Sequence, residues 1–403
     1  MESYQQFGSA VEGLSMMFAS AVTNEQDETV AITQLVTQVQ QQLEARSVDL
    51  AILFVSPHFR LTAGNVSALI REVLQPTVLL GCTAEGVIGR DVEFEHGPGM
   101  TLVAAHLPNV SLAPFSLQSM GWPKLLDEED AFRRILGATD ESKLFILLVD
   151  PFTAPIDDVL TAFNTFLPNL PVVGGLASGS HRPGGNALFF NDRIVNNGAI
   201  GVALSGKFDV DVIVSQGCRP IGEPFRITES QDNVILSLDH ETPFVQLQNL
   251  VRQLSETDQD LLRNGVFIGR AINSAQEILG RGDFLIRGVM GLDQNNGAMI
   301  VSDYMQVGET VQFHLRDAST AEEDLEMMLT PQMLFDPPAG ALLFSCNGRG
   351  TRLYDHPNGD ISIIQNVVGD LDLAGFFCAG EIGPIGGKNF LHAHTASLVM
   401  FRP

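Results

Sequence analysis

The sequence predicts a mixed α/β (α+β) protein of two domains, with buried strands and flanking helices. Three observations carry that prediction. Continuous apolar runs of strand length, such as LAILFV and LFILLV, alternate with amphipathic helical stretches, the pattern of strands covered on both faces. The 38 glycines and 20 prolines supply sharp connections that a helix bundle does not need. A chain of 403 residues is too long for one hydrophobic core, so two or three domains are expected.

The first clear helix spans residues 28–45, where Ile32, Leu35, Val36, Val39 and Leu43 fall on one face. A strand at 49–57 follows, closed by Ser56-Pro57. A second amphipathic stretch, 65–74, leads to PTVLLGCTAEG (76–86) and then MTLVAAHL (100–107). The order recurs about 93 residues later, with LFILLVDP, a helical stretch at 156–167, PVVGGLASG (171–179) and GAIGVAL (198–204). Pro57 to Gly81 is 24 residues and Pro151 to Gly174 is 23, so the copies are nearly in register. Two pseudo-repeated β-α-β units, 49–107 and 144–204, are expected to build the first domain, 1–230.

The polar stretch 217–234, with two prolines, marks the expected boundary to a second domain, 231–403. Helices are predicted there at 243–254, 259–263 and 361–368, and another at 320–329 opened by a Thr320/Glu323 capping box. Strands are predicted in GVFIGRAIN, DFLIRGVMGLD, GAMIVSD, TVQFHLRD, GALLFSC, LAGFFCAG and LHAHTASLVMF. One echo links the halves: Cys82 and Cys378 each end a strand and each precede a glutamate, Glu85 or Glu381, by three residues.

A net charge of −25, from 23 basic against 48 acidic residues, argues against nucleic acid and anionic membrane surfaces. No apolar run approaches the ~20 residues of a bilayer span, and MESYQQFGSAVEG lacks the regions of a signal peptide. Cys82, Cys218, Cys346 and Cys378 show no C-x-x-C spacing, which fits reduced thiols in a cytoplasmic protein.

Four stretches in order, LLGCTAEGVIG, SQGCRPIGEPFRIT, LLFSCNGRGTRL and GFFCAGEIGPIGG with NFLHAHTASLVMF, resemble the FIST family. The resemblance runs from about residue 16 to the end. It implies FIST N-terminal and C-terminal domains and a small-ligand-binding sensory module, with amino acids or their derivatives as suggested ligands. It implies no general reaction. No kinase, receiver, cyclase or F-box sequence accompanies the motifs, so a separate protein signalling partner is expected.

Each candidate residue has two readings. Cys346 precedes Asn347-Gly348-Arg349-Gly350, a turn whose N–H groups and arginine would activate a thiol; packing at a strand end is the plainer reading. His392 and His394, spaced to share a strand face, suit a pocket wall or, with Glu381 or Cys378, a metal. Glu85 and Glu381 are lone acids in apolar glycine turns, fit to take a ligand ammonium or to brace their own turns. Arg349 or Arg219 would grip a ligand carboxylate. The loop 174–186, with Ser178, His181 and Arg182, lacks a phosphate-loop signature.

The resulting expectation is a ligand-binding sensor with an interdomain pocket and no cofactor, metal or catalytic residue. The pocket would be lined by Cys82, Thr83, Glu85, Ser178, His181, Cys346, Asn347, Arg349, Cys378, Glu381, His392 and His394. An enzyme using Cys346 or Cys378 with His392, His394 and Glu381, or a scaffold without a ligand, are the alternatives.

Overall fold

Three apolar runs that water never reaches, residues 50–55, 144–149 and 340–346, are central strands of three six-stranded sheets. They are seen in a computed structural model describing residues 15–118, 122–263 and 265–403; the stretch weighed as a signal peptide lies outside the described residues.

The first unit of structure comprises β1 (Met17–Thr23), α1 (Glu28–Gln42), β2 (Leu50–Val55), α2 (Ala63–Leu74), β3 (Val78–Thr83), a short hairpin of β4 (Val87–Ile88) and β5 (Glu93–Phe94), and β6 (Met100–His106). The second repeats it: β7 (Val110–Leu117), α3 (Trp122–Asp127), α4 (Glu129–Leu136), β8 (Ser142–Val149), α5 (Ile156–Phe166), β9 (Val172–Leu176), the hairpin β10 (Leu188–Phe190) and β11 (Arg193–Val195), and β12 (Ala199–Gly206).

A third copy begins with β13 (Asp209–Gln216) and is then interrupted in the chain. The interruption runs through β14 (Cys218–Gln231), β15 (Val234–Leu238), α6 (Pro243–Val251), α7 (Glu256–Leu262), β16 (Phe267–Ala271), β17 (Phe284–Leu292), β18 (Met299–Val301) and β19 (Thr310–Arg316). The copy resumes with α8 (Ala318–Leu329), β20 (Gly340–Cys346), α9 (Gly359–Val368), β21 (Leu373–Cys378), the hairpin β22 (Glu381–Ile385) and β23 (Lys388–His392), and β24 (Thr395–Arg402).

In every copy the two inner strands are parallel: β2 with β3, β8 with β9, β20 with β21. The final strand lies antiparallel beside the first of them: β6 on β2, β12 on β8, β24 on β20. The hairpins do not stay with their own sheets. β4 pairs with β21, β10 with β3, and β22 with β9, so each copy lends its hairpin to another in a closed cycle. A glycine recurs at the same place in all three, because the neighbouring strand leaves no room for a side chain. A Cβ on Gly81, Gly174 or Gly375 would stand 1.9, 1.8 or 2.1 Å from the carbonyl oxygen of Leu53, Leu147 or Leu343.

The inner faces of the three sheets share one core, with Ile52, Phe54 and Leu80 meeting Ile146, Leu148, Phe344 and Phe376. The outer face of the first sheet is covered by α1 and α2, and that of the second by α3 to α5. This double covering explains why the strands read as unbroken apolar runs.

Compact units divide the chain differently from the two sequence segments expected. Unit 1 holds residues 1–214, 326–391 and 396–403; unit 2 holds 215–325 and 392–395. Unit 2 contains a closed barrel in the order β14-β15-β18-β17-β16-β19, packed around Ile221, Ile235, Ile268, Met299 and Phe313. The stretch read as a domain boundary therefore holds its longest strand, β14. A register shift between Ile221 and Phe225 absorbs Gly222, at φ +64°, and Pro224. The expected capping box also fails: α8 starts earlier, with Asp317 accepting from Ser319 N–H and Thr320 buried inside the helix. Among the described residues no helix is long and apolar enough to cross a membrane.

Candidate functional site

The parallel strands of unit 1 end together, and their exit turns are stitched into a ring. Gly179 N–H donates to Thr83 O (3.2 Å), Phe377 N–H to Gly86 O (3.1 Å) and Ala379 N–H to Leu176 O (3.0 Å). Ser178 Oγ receives Glu85 N–H at 2.8 Å and itself donates to Phe377 O. Thr83 Oγ1 receives Ala187 N–H at 3.0 Å. These bonds close the axis, so Cys82, Thr83, Ser178, Cys378 and Glu381 are buried in the ring and do not line an open cavity. Burial pushes the thiols of Cys82 and Cys378 well above their ordinary range, leaving both protonated and unreactive at neutral pH.

Beside the ring lies a narrow cleft, about 10 Å³ in volume as it stands, lined by Glu85, Gly86, Glu95, His96, Asn347, Arg352 and Phe377. Glu85 reaches it from the β3 exit, and Asn347 and Arg352 from the β20 exit. Glu85 Oε2 accepts from Asn347 Nδ2 at 3.0 Å, and Oε1 pairs with Arg352 Nη2. Arg352 also donates to Asn347 O at 2.6 Å. Its side chain is about half exposed (47%) and that of Glu85 19%, so the arginine is within reach of solutes. Glu95 is held by Thr351, which donates its N–H (2.9 Å) and its hydroxyl (2.7 Å).

Under the cleft sits a dry ionic cluster. Arg349 is fully buried and donates to Asp360 through Nη2 (2.6 Å) and Nε (3.0 Å), and to Tyr354 Oη (2.7 Å). Tyr354 and Ser345 donate to the same carboxylate at 2.8 and 2.7 Å. Although burial opposes it, the Arg349 guanidinium keeps the Asp360 carboxyl below its usual range. The expected ligand grip by Arg349 is thus corrected: its charge is committed to Asp360. Arg219 is likewise engaged, by Asp317 at 2.7 Å and by Asp258, within unit 2.

Glu93, at the start of β5, caps α9 by accepting Ile361 N–H at 2.9 Å. Burial, reinforced by the nearby Asp360 charge, pushes its carboxyl up to about 8.

The remaining candidates fall elsewhere. His181 is exposed on the β9–β10 connection. His392 and His394 belong to unit 2 and do not share a strand face, because β23 ends at His392 and His394 turns the chain at φ +61°. The His394 ring packs against Phe267 at 4.4 Å. Among the described residues no three His, Cys, Asp or Glu side chains are grouped to hold a metal ion. Cys346 is nearly buried, with Gly348 N–H aimed at its sulfur at 3.4 Å. Sequence reasoning missed Arg352, Glu95, His96, Glu93 and Asp360. Arg352 stood three residues beyond Arg349 in the quoted CNGRGTRL, and the short run EFEH held Glu93, Glu95 and His96 at and just after β5, whereas Asp360 opens α9 with no signal of its own.

Against protein families, residues 49–241 match the model of the FIST N domain and residues 245–384 that of the FIST C domain. The chain belongs to the FIST family. Its cleft joins the two family segments, since Glu85 comes from FIST N and Asn347 and Arg352 from FIST C, yet it lies inside one compact unit. An uncharacterized protein of Mycobacterium tuberculosis is 35% identical over 388 residues, covering 96% of this FIST chain and 100% of the relative. An uncharacterized protein of Mycobacterium bovis is also 35% identical, over 96% of this chain and 99% of its own. Two solved cyanuric acid hydrolases, one from A. caulinodans, align at 10% identity over 96% of this chain and at least 99% of theirs. Their TM-score of 0.31 is too low to carry an argument.

Proposed function

We propose that this FIST protein is a small-ligand sensor whose cleft takes an amino-acid-like zwitterion. The observation that carries the reading is the Glu85–Arg352 pair, its arginine half-exposed, at the carboxyl ends of parallel strands, the place where α/β sheets take ligands. An exposed ion pair contributes only about 0–1 kcal/mol, so a solute exchanges with it readily. A ligand ammonium would replace Arg352 on Glu85 while its carboxylate takes the freed guanidinium, leaving no charge unpaired. The cleft as it stands has a volume of about 10 Å³, so the ligand would enter only as the Arg352 side chain swings away from Glu85.

A thermal-shift screen of amino acids tests this. A hundredfold excess over Kd should stabilise by about 2.7 kcal/mol, and Glu85→Gln should abolish the shift while the protein stays folded. An unchanged shift in Glu85→Gln would remove the cleft from the account. The cysteine-enzyme reading is favoured only by the Gly348 N–H directed at Cys346. It requires Cys346 to react with iodoacetamide at neutral pH faster than the other three thiols.

A further inference from the structure

One stretch of unit 1 is apolar, exposed and held in place. At the end of α8 and in the turn after it, Met327, Met328, Met333, Leu334 and Phe335 all face solvent, Leu334 at 86% and Met333 at 68% exposure. Scattered exposed apolar residues are ordinary, but five within nine positions form a patch of the kind that marks an interaction surface. The segment is anchored. Leu329 is fully buried within it, Thr330 Oγ1 donates to Glu326 O at 2.7 Å, and Phe335 N–H donates to Gln332 O at 3.2 Å. Arg402 of β24 holds it from behind, donating to Asp336 O at 2.8 Å and Gln332 Oε1 at 3.0 Å with its guanidinium 5.7 Å from the Phe335 ring.

The charge within the stretch itself has one sign. Residues 317–348 contain no lysine or arginine, and exposed Glu326 and Asp336 flank the apolar run. Arg402, the cation that bonds to this stretch, is largely buried and paired with Asp211, and on the helical turn before it Arg281 is paired with Glu323 at 3.6 Å. A second copy fits poorly, since a twofold contact brings Glu326 and Asp336 toward their own copies on a chain of net charge −25. An anionic membrane is repelled for the same reason. We infer that residues 327–335 dock a basic amphipathic helix of a partner protein, whose apolar stripe covers the methionines, Leu334 and Phe335 while its lysines or arginines meet Glu326 and Asp336. Methionine side chains suit such a surface because they repack around partners of different shape.

The test uses the full chain and a synthetic 20-residue helical peptide of leucine and lysine, with a leucine and glutamate peptide as its counterpart. Fluorescence anisotropy should show binding of the basic peptide only. Leu334→Ser/Phe335→Ser, which leaves every charge unchanged, should weaken binding at least tenfold, and Glu326→Lys/Asp336→Lys should weaken it similarly at low salt. Equal affinity in the uncharged double variant overturns the proposal, because attraction would then be general to an acidic protein. Hydroxyl-radical footprinting of the unaltered protein gives an independent reading: the peptide should protect Met327 and Met333, and unprotected methionines refute the docking site. Dimerisation lost in Leu334→Ser/Phe335→Ser, or binding to anionic vesicles through the same residues, would also overturn it by naming another occupant.

Discussion

Replacing Arg349 by methionine separates a structural role from a ligand-gripping one. The guanidinium makes three contacts of 2.6 to 3.1 Å with Asp360 in a region closed to water. In Arg349→Met the Asp360 carboxylate keeps only the hydroxyls of Ser345 and Tyr354, at 2.7 and 2.8 Å. Breaking a buried pair from one side typically costs about 3–5 kcal/mol. For 403 residues unfolding together, at about 2.1 cal/mol/K per residue, that is a drop of roughly 4–6 °C in Tm. Adding Asp360→Asn removes the stranded charge, so the double variant should be more stable than Arg349→Met alone. Urea unfolding of the four proteins in this cycle measures both effects. A loss below about 1 kcal/mol in Arg349→Met, or a double variant less stable than the single, would refute the reasoning.

Three further outcomes follow from the same geometry. Glu93 keeps its proton in the folded state up to about pH 8, whereas the unfolded chain loses it near pH 4.5; stability should therefore fall as pH rises through that window, by at most about 5 kcal/mol. Glu93→Gln should flatten this fall in denaturation curves at pH 5, 6.5 and 8, and an unchanged slope would contradict the buried-acid assignment. Gly81→Ala, Gly174→Ala and Gly375→Ala should each destabilise by about 1–3 kcal/mol or more, since the obstructing atom is a backbone oxygen; a variant with wild-type Tm would show that the strand can shift. Reactivity mapping should find Cys82 and Cys378 unlabelled by iodoacetamide in the native protein and labelled in urea.

Two of the three copies were legible in the sequence because their strands end in matching punctuation, Ser56-Pro57 and Asp150-Pro151, and carry Gly81 and Gly174 in register. The third was hidden for two reasons. The barrel separates β13 from α8, and its β20 exit reads Cys346-Asn347 where the others have a proline. Its glycine, Gly375, was visible but had no counterpart spacing to match. Two of the hairpins lent between copies leave no periodic signal, because β4, β5, β10 and β11 have only two or three residues each. At the site, lone acids in apolar turns drew attention to Glu85 and Glu381, of which Glu85 lines the cleft and Glu381 is buried. What composition cannot show is the partner of each charge. Asp360 neutralises Arg349, and Arg352, rather than Arg349, reaches the surface beside Glu85.

The central claim is that Glu85 and Arg352 together recognise a zwitterion. Isothermal titration tests it most directly, using the amino acid with the largest thermal shift and two analogues lacking its amine or its carboxylate. Wild-type protein should bind the amino acid at least tenfold more tightly than either analogue. Glu85→Gln should erase the preference for the amine, and Arg352→Met the preference for the carboxylate. Equal affinities for all three compounds, or preferences unchanged in both variants, would contradict the account.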